Sequence, residues 1–213
     1  MSGNLSDNIC VKAYHLLKKD FPQLPAVKMH LHKTIPMGAG LGGGSADGAF
    51  TLVLLNRKFN LGVTEQQLIN YALQLGSDCP FFIKNSPCYA TGRGENLEAV
   101  QLDLSGYRFV VVNPGIHVNT GWAFSQLTPA ANRLSLKQII QQPVESWRET
   151  LTNDFEGPIS RQHPEIGKCK QQLYQQGAIY ASMTGSGSTV FGIFPKNSNP
   201  QLTFLSNYFV RTI

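Results

Sequence analysis

Apolar residues recur at helical spacing through Ile9, Ala13, Leu16 and Leu17. Ser6 or Asp7 ahead of them can accept a backbone N–H, so a helix is expected to open near Ser6-Asp7 and to end by Pro22 and Pro25. Val27, Met29 and Leu31 then alternate with polar residues up to Lys33, the pattern of a half-buried strand. The stretch from Pro36 to Gly44 cannot be regular, because glycine fills positions 38, 40, 42, 43 and 44. Ser45 and Asp47 lead into Ala49–Leu55, an apolar helix. A further helix opens at Thr64, where Thr64 and Gln67 can form a capping box, and closes at Gly76. Phe81-Phe82-Ile83, Cys88–Thr91 and Leu97–Leu102 read as extended, with the loop Gly92-Arg93-Gly94-Glu95 between the last two. Phe109–Val112 reads as a buried strand. Beyond Pro114-Gly115 the pattern changes: helical segments are expected around 121–127, 136–142 and 165–176. Two strands, Ile179–Met183 and Thr189–Phe194, flank Gly185-Ser-Gly-Ser188. A domain boundary is expected near residue 118, and there are no internal repeats.

The chain of 213 residues, 42% hydrophobic, can bury a substantial core. No apolar run approaches the ~20 residues of a membrane span, and residues 1–8 lack the apolar core of a signal peptide. A cytoplasmic location is the expectation. The net charge of +5 suits phosphate ligands, but the cations are scattered, the densest run being Lys18-Lys19, so nucleic-acid binding is not expected. Cys10, Cys79, Cys88 and Cys169 form no C-x-x-C pair, and His30 and His32 read as the polar face of a strand, so no metal site is expected.

The glycine stretch carries the chemistry. A helix N-terminus presents free N–H groups and a partial positive charge, and glycines ahead of it let phosphate approach the backbone. Pro36-Met-Gly-Ala-Gly-Leu-Gly-Gly-Gly-Ser45 has this form, and its serine can add a hydroxyl. Three readings compete. A P-loop fits poorly, because Gly38 and Gly43 are followed by Gly44-Ser45 with no lysine. Gly38-x-Gly40-x-x-Gly43 matches the dinucleotide fingerprint, with Glu65 at about the right distance, yet no second strand precedes that acid. The third reading is a small-molecule kinase.

Pro36-Met-Gly-Ala-Gly-Leu-Gly-Gly-Gly-Ser-Ala-Asp47 resembles the phosphate loop of the GHMP kinase superfamily, and most closely that of the 4-diphosphocytidyl-2-C-methyl-D-erythritol kinase family. Asp7-Asn-Ile-Cys-Val-Lys-Ala13, Leu75-Gly-Ser-Asp-Cys-Pro-Phe-Phe82 and Thr184-Gly-Ser-Gly-Ser-Thr-Val-Phe191 are similar to three further segments of that family, in the same order. The resemblance implies an α+β fold. Residues 1–118 would form an incomplete N-terminal domain like the second domain of ribosomal protein S5, and residues 119–213 a ferredoxin-like C-terminal domain, with ATP and acceptor in the cleft between them. It implies transfer of the γ-phosphate of ATP, with Mg²⁺, to the 2-hydroxyl of 4-diphosphocytidyl-2-C-methyl-D-erythritol in the non-mevalonate route to isoprenoid precursors.

The residue roles it implies are these. Asp78 is the catalytic base, against an ordinary reading as a turn or cap residue. Ser45 and the backbone from Pro36 through Met37, Gly38, Ala39, Gly40, Leu41, Gly42, Gly43 and Gly44 hold the triphosphate, while Asp47 interacts with the helix dipole or with a phosphate. Asn8, Lys33 and Met37 lie near adenine, against capping, a solvated strand end and loop packing. Thr120 and Phe124 lie on the cytidine side, against core packing for Phe124. Gly185, Ser186 and Gly187 form a supporting loop, and Asn153-Asp154-Phe155 reads as structural.

Family members carry a segment ahead of the Asp7-Asn8 helix, with a catalytic lysine and with a tyrosine and histidine for the cytidyl group. No residue here matches them, so residues 1–213 alone are expected to turn over slowly or not at all. Another kinase of the superfamily, an NAD-dependent oxidoreductase and a non-catalytic nucleotide-binding remnant remain alternatives. The oligomeric state is not readable.

Overall fold

The computed structural model describes residues 5–128 and 134–213. Two compact units emerge, one of residues up to 34 together with 42–101, the other of residues 35–41 together with 102–213.

In the first unit, a short 3-10 turn at Leu5–Asp7 precedes helix α1 (Ile9–Asp20). The cap is Asn8, whose Oδ1 accepts from Cys10 N at 2.9 Å, one residue later than the expected Ser6 or Asp7. Helix α2 (Gly43–Phe59) starts two residues earlier than Ser45, because its first turn can be made of glycine. It crosses α1 closely at Gly48, where a Cβ would lie 2.8 Å from Ile9 Cγ1. Helix α3 (Glu65–Leu75) begins with the expected capping box: Thr64 Oγ1 accepts from Gln67 N, and Gln67 Oε1 accepts from Thr64 N. Ala13, Leu17, Leu24, Ala49, Leu52, Leu55 and Ala72 form the core of this unit.

Two expectations fail here. Phe81-Phe82-Ile83 is not extended but lies in helix α4 (Cys79–Lys84). Pro80 is pre-set for a first helical turn, and the helix buries Cys79 while Phe82 and Ile83 pack on the same core. A short apolar run does not by itself distinguish a strand from a buried helical turn. Val27–Lys33 is not a strand either. Val27 and Leu31 are half-buried but Met29 is exposed, so the expected apolar face is incomplete, and none of the described strands pairs with the segment. Strands β1 (Cys88–Thr91) and β2 (Asn96–Ala99) form an antiparallel hairpin, joined through Gly92 and Gly94 at positive φ.

The second unit is built on a four-stranded antiparallel sheet. Strand β3 (Tyr107–Asn113) is followed by helices α5 (Thr120–Ser125), α6 (Leu136–Ile139), α7 (Trp147–Thr150), α8 (Glu156–Gln162) and α9 (Pro164–Gln175). Strands β4 (Tyr180–Met183), β5 (Val190–Pro195) and β6 (Phe209–Thr212) follow, in the spatial order β4-β5-β3-β6. The four strands therefore lie second-third-first-fourth, the ferredoxin-like arrangement. No helix occurs among the described residues between β5 and β6. Strand alternation gives the sheet two buried faces. Val110, Val112, Ala181, Met183, Val190 and Phe194 pack with Ile166, Cys169 and Leu173 of α9. Tyr180 and Ile193 pack on the other side with Ile139, Val144 and Trp147. The expectation carried neither α8 nor β6; α8 is largely polar and β6 is only four residues long, so hydrophobic periodicity is weak in both.

Replacing Thr64 with alanine removes the cap and should destabilise the protein by about 1 kcal/mol, read as a lower denaturant midpoint at unchanged slope. Tyr180 is held neutral in the fold: burial, then the negative charge of Glu156, push its phenol from 10.0 to about 12, against a hydrogen bond with Ser182 that pulls the other way. A group whose folded pKa is raised contributes stability that is present below the unfolded value and is lost as pH rises through the folded one. Chemical-denaturation stability should therefore fall more steeply between pH 10 and 12 in the parent than in Tyr180→Phe.

Candidate active site

Asn8 caps α1, Thr64 caps α3 and Asn119 caps α5 through local side-chain bonds, while α4 and α6–α9 carry none. Helix α2 also lacks one, and it starts from glycine. Its N-cap is Gly42, in the left-handed conformation with φ 64°, and no side chain caps it. The first intrahelical bond at this end runs from Ala46 N to Gly42 O, so the N–H groups of Gly43, Gly44 and Ser45 have no intrahelical partner. Such a start is electropositive and favours an anion. Glycine is required at 42 on two counts: its φ, and Phe82 Cζ, which a Cβ would meet at 2.8 Å. At Gly44, by contrast, an added Cβ meets nothing within 4 Å.

The expected catalytic segment lies beside this helix start. Helices α2 and α4 pack together, with the Ser45 hydroxyl near the Cys79 thiol. Burial, chiefly, and the neighbouring Asp78 carboxylate push that thiol above its ordinary pKa, while Ser45 pulls it down. Asp78 stands at the N-cap position of α4, but its side chain makes no capping bond, and the residue is exposed. The cap reading of Asp78 is thus removed while the turn reading stands, since Ser77-Asp78 forms a turn, and its carboxylate lies at the surface near Cys79. Gly94 of the β1–β2 loop approaches it, with a Cβ there 3.5 Å from Asp78 Oδ1.

Lys33 Nζ pairs with Asp47 Oδ2, so the acid in the first turns of α2 is neutralised by a lysine of the extended segment. Asn8 uses its side chain to cap α1. Met37 is 79% exposed, so packing within the loop does not account for it.

Residues Pro36–Leu41 belong to the second unit. Gly38 and Gly40 have φ of 68° and 75°. Thr184 Oγ1 donates to Gly40 O, and Thr189 N donates to Ala39 O at 3.1 Å. A Cβ at Gly40 would lie 2.6 Å from Gly187 O and 2.7 Å from Thr184 O. The Gly185-Ser186-Gly187 loop therefore touches the glycine stretch. On its other side, Ser186 Oγ lies 3.3 Å from Thr120 Oγ1, at the start of α5. Phe124 is 61% exposed and meets Phe155 edge-on at 5.0 Å, so core packing does not explain it.

Sequence reasoning missed the roles of four residues here. His117 lies against Gly38, whose Cβ would be 3.3 Å from His117 Nδ1. Buried Asn113 donates to Ser188 Oγ at 3.1 Å and to Thr189 Oγ1 at 2.9 Å. Thr184 and Thr189 flank the Gly-Ser-Gly loop, but only their contacts reveal a role. Glu65 occupies the first turn of α3 behind its Thr64 cap, with no strand leading to it. Among the described residues, no group of three or more His, Cys, Asp or Glu side chains could hold a metal, and no helix is long and apolar enough to cross a membrane.

Comparisons with known proteins place the chain in a family. Residues 8–86 match the GHMP kinases N terminal domain and residues 135–204 the GHMP kinases C terminal domain. A 4-diphosphocytidyl-2-C-methyl-D-erythritol kinase of Bacteroides thetaiotaomicron is 48% identical over 210 residues, covering 98% of this chain and 76% of the relative. The same-named protein of Bacteroides fragilis is 49% identical over 213 residues, covering 100% of this chain and 77% of the relative. This chain belongs to the 4-diphosphocytidyl-2-C-methyl-D-erythritol kinase family. It spans about three quarters of the length of these relatives. A crystal structure of 4-(cytidine 5'-diphospho)-2C-methyl-D-erythritol kinase superposes with a TM-score of 0.79 at 31% identity, over 91% of this chain and 71% of that one. The mevalonate kinase of Methanococcus jannaschii, at TM-score 0.69 and 12% identity over 91% of this chain and 71% of that one, shares the fold. Membership of this kinase family leaves no support for the P-loop and dinucleotide readings.

Glycine at 44 serves no packing need, and alanine in a helical turn is favoured over glycine by roughly 0.5–1 kcal/mol. Gly44→Ala should therefore keep or raise the melting temperature while weakening nucleotide binding, because its methyl group stands where a phosphate would approach. Thermal unfolding together with titration of an ATP analogue checks both halves.

Proposed function

We propose that this chain phosphorylates the 2-hydroxyl of 4-diphosphocytidyl-2-C-methyl-D-erythritol with ATP and Mg²⁺, in the cytoplasm, as a step of the non-mevalonate route to isoprenoid precursors. The observation that carries the reading is the glycine-built start of α2, with Asp78 exposed at the start of the adjacent helix α4. Family membership supports the reaction class.

The residues present fit a nucleoside triphosphate. The amides of Gly43, Gly44 and Ser45 are free of intrahelical bonds, and the open space over Gly44 admits a phosphate close to the backbone. Bound ATP supplies the transferable phosphoryl group, and Mg²⁺ would be held through the phosphates, the usual mode for this ion, with few protein ligands. The amides orient the phosphates and offset their charge, which is most of what a protein contributes to phosphoryl transfer. The Ser45 hydroxyl adds a donor at the same turn. Asp78 accepts the proton of the acceptor hydroxyl at its carboxylate. The Lys33–Asp47 pair keeps a bare carboxylate away from the phosphate-binding turn. Exposed Phe124 stacks on the cytosine ring, with Thr120 as a polar contact beside it; such a stack is worth about 1–3 kcal/mol.

The test is a prolonged incubation of the protein with Mg-ATP and a panel of acceptors, read by mass spectrometry. Mono-phosphorylation of the cytidyl acceptor, and not of mevalonate or homoserine, is the expected result. Preference for another acceptor would overturn the substrate assignment. Asp78→Asn should lower the rate by about 10²–10⁴-fold while leaving nucleotide affinity near that of the parent.

A further inference from the structure

For amides to face a phosphate, the carbonyl groups of the same loop must turn away and find other partners. In the second unit those partners are on the β4–β5 hairpin: Thr184 takes Gly40 O and Thr189 takes Ala39 O. The position of that hairpin then depends on what holds it.

Strand β4 is at the edge of its sheet, so alternate backbone groups face outward without a neighbouring strand. Side chains take the place of that strand. At Ala181, Tyr174 Oη accepts from the N–H at 3.1 Å and donates to the carbonyl at 3.2 Å. At Met183, Glu156 Oε1 accepts from the N–H at 2.6 Å, and Asn153 Nδ2 donates to the carbonyl at 2.7 Å. Asn153 Nδ2 also donates to Gly185 O at 2.9 Å, inside the turn itself. Glu156 is fixed in turn by Ser182 Oγ at 2.8 Å and by Lys170 Nζ at 2.5 Å, and Asn153 Oδ1 accepts from Phe155 N at 3.0 Å. The grip at Ala181 secures the strand. The grip at Met183 and Gly185 secures the turn that latches Ala39 and Gly40.

We infer that Asn153 and Glu156, which lead into and open α8, are positioning residues for the phosphate loop. They act through Met183 and Gly185 on Thr184 and Thr189, and so on the conformation in which Ala39 and Gly40 enter the start of α2. Asn153 thus does more than shape the chain ahead of α8. The inference rests on the reading of Pro36–Ser45 as the phosphate loop only in its consequence for nucleotide, not in the latch itself.

Tyr174→Phe is the control, because it loses the equivalent edge bonds two residues from Met183 and leaves the turn alone. Hydrogen–deuterium exchange is followed without nucleotide in peptides covering residues 36–44. Asn153→Ala and Thr184→Val, which cuts the same route one link nearer Gly40, should both speed exchange there. Tyr174→Phe should not, even where it lowers the melting temperature as much. Mg-AMP-PNP affinity should drop about tenfold in Asn153→Ala and change less than about twofold in Tyr174→Phe. Should Asn153→Ala not fold, Asn153→Asp, which loses only the amide donor, takes its place. Unchanged exchange over 36–44 in the folded Asn153 variant and in Thr184→Val overturns the latch. Faster exchange in those variants, together with a parent protein that binds no Mg-AMP-PNP, keeps the latch and overturns the nucleotide reading instead.

Discussion

The proposed chemistry of this chain depends on the glycine-built start of one helix. A helix start that carries no side-chain cap has backbone donors to offer. The protein caps α1, α3 and α5 with Asn8, Thr64 and Asn119, but begins α2 with glycines whose amides remain free of intrahelical bonds. The cost of that choice appears around it. Gly42 must adopt a left-handed backbone against Phe82, and Gly40 fits only because it lacks a side chain next to Gly187 and Thr184. The Ala39 and Gly40 carbonyls are taken up by Thr189 and Thr184, and the nearby Asp47 carboxylate is matched by Lys33. Each of these contacts either keeps the turn in shape or keeps negative charge from competing for it.

The second unit holds the Pro36–Leu41 stretch. Its sheet has two covered faces, so β3, β4 and β5 pack between helices on either side. The open edge at β4 is closed by Tyr174, Glu156 and Asn153 instead of by a strand. Buried Asn113 ties Ser188 and Thr189 to β3, and Ser188 Oγ donates to Ile116 O at 2.5 Å. The stretch leading to Thr120 and Phe124 is therefore fastened to the same hairpin that latches the glycine loop.

Much of this was legible in the sequence, for identifiable reasons. The capping box of Thr64 and Gln67, the glycine-to-helix transition and the two strands around Gly185-Ser-Gly-Ser188 are local signals, fixed by residues a few positions apart. What failed depended on distant partners. Val27–Lys33 has the alternation of a strand, but alternation specifies a face and not a neighbour. Phe81–Ile83 is apolar enough for either structure, and the packing against the first-unit core decides for a helix. Asn8 looked like a ligand contact as readily as a cap, and its hydrogen bond to Cys10 N gives the cap. The latch itself was hidden because Thr184, Thr189 and Asn153 are ordinary polar residues until the fold brings them to Ala39, Gly40 and Met183. Family likeness supplied the reaction, which no spacing of glycines could have named.

The central claim is that the amides at the start of α2 hold the nucleotide's phosphates. The direct measurement is ¹⁵N–¹H correlation spectroscopy of the amide-labelled protein during titration with Mg-AMP-PNP. The account predicts that the Gly43, Gly44 and Ser45 resonances shift most, and saturate together with binding. Nucleotide binding that leaves those three amides unmoved would contradict it.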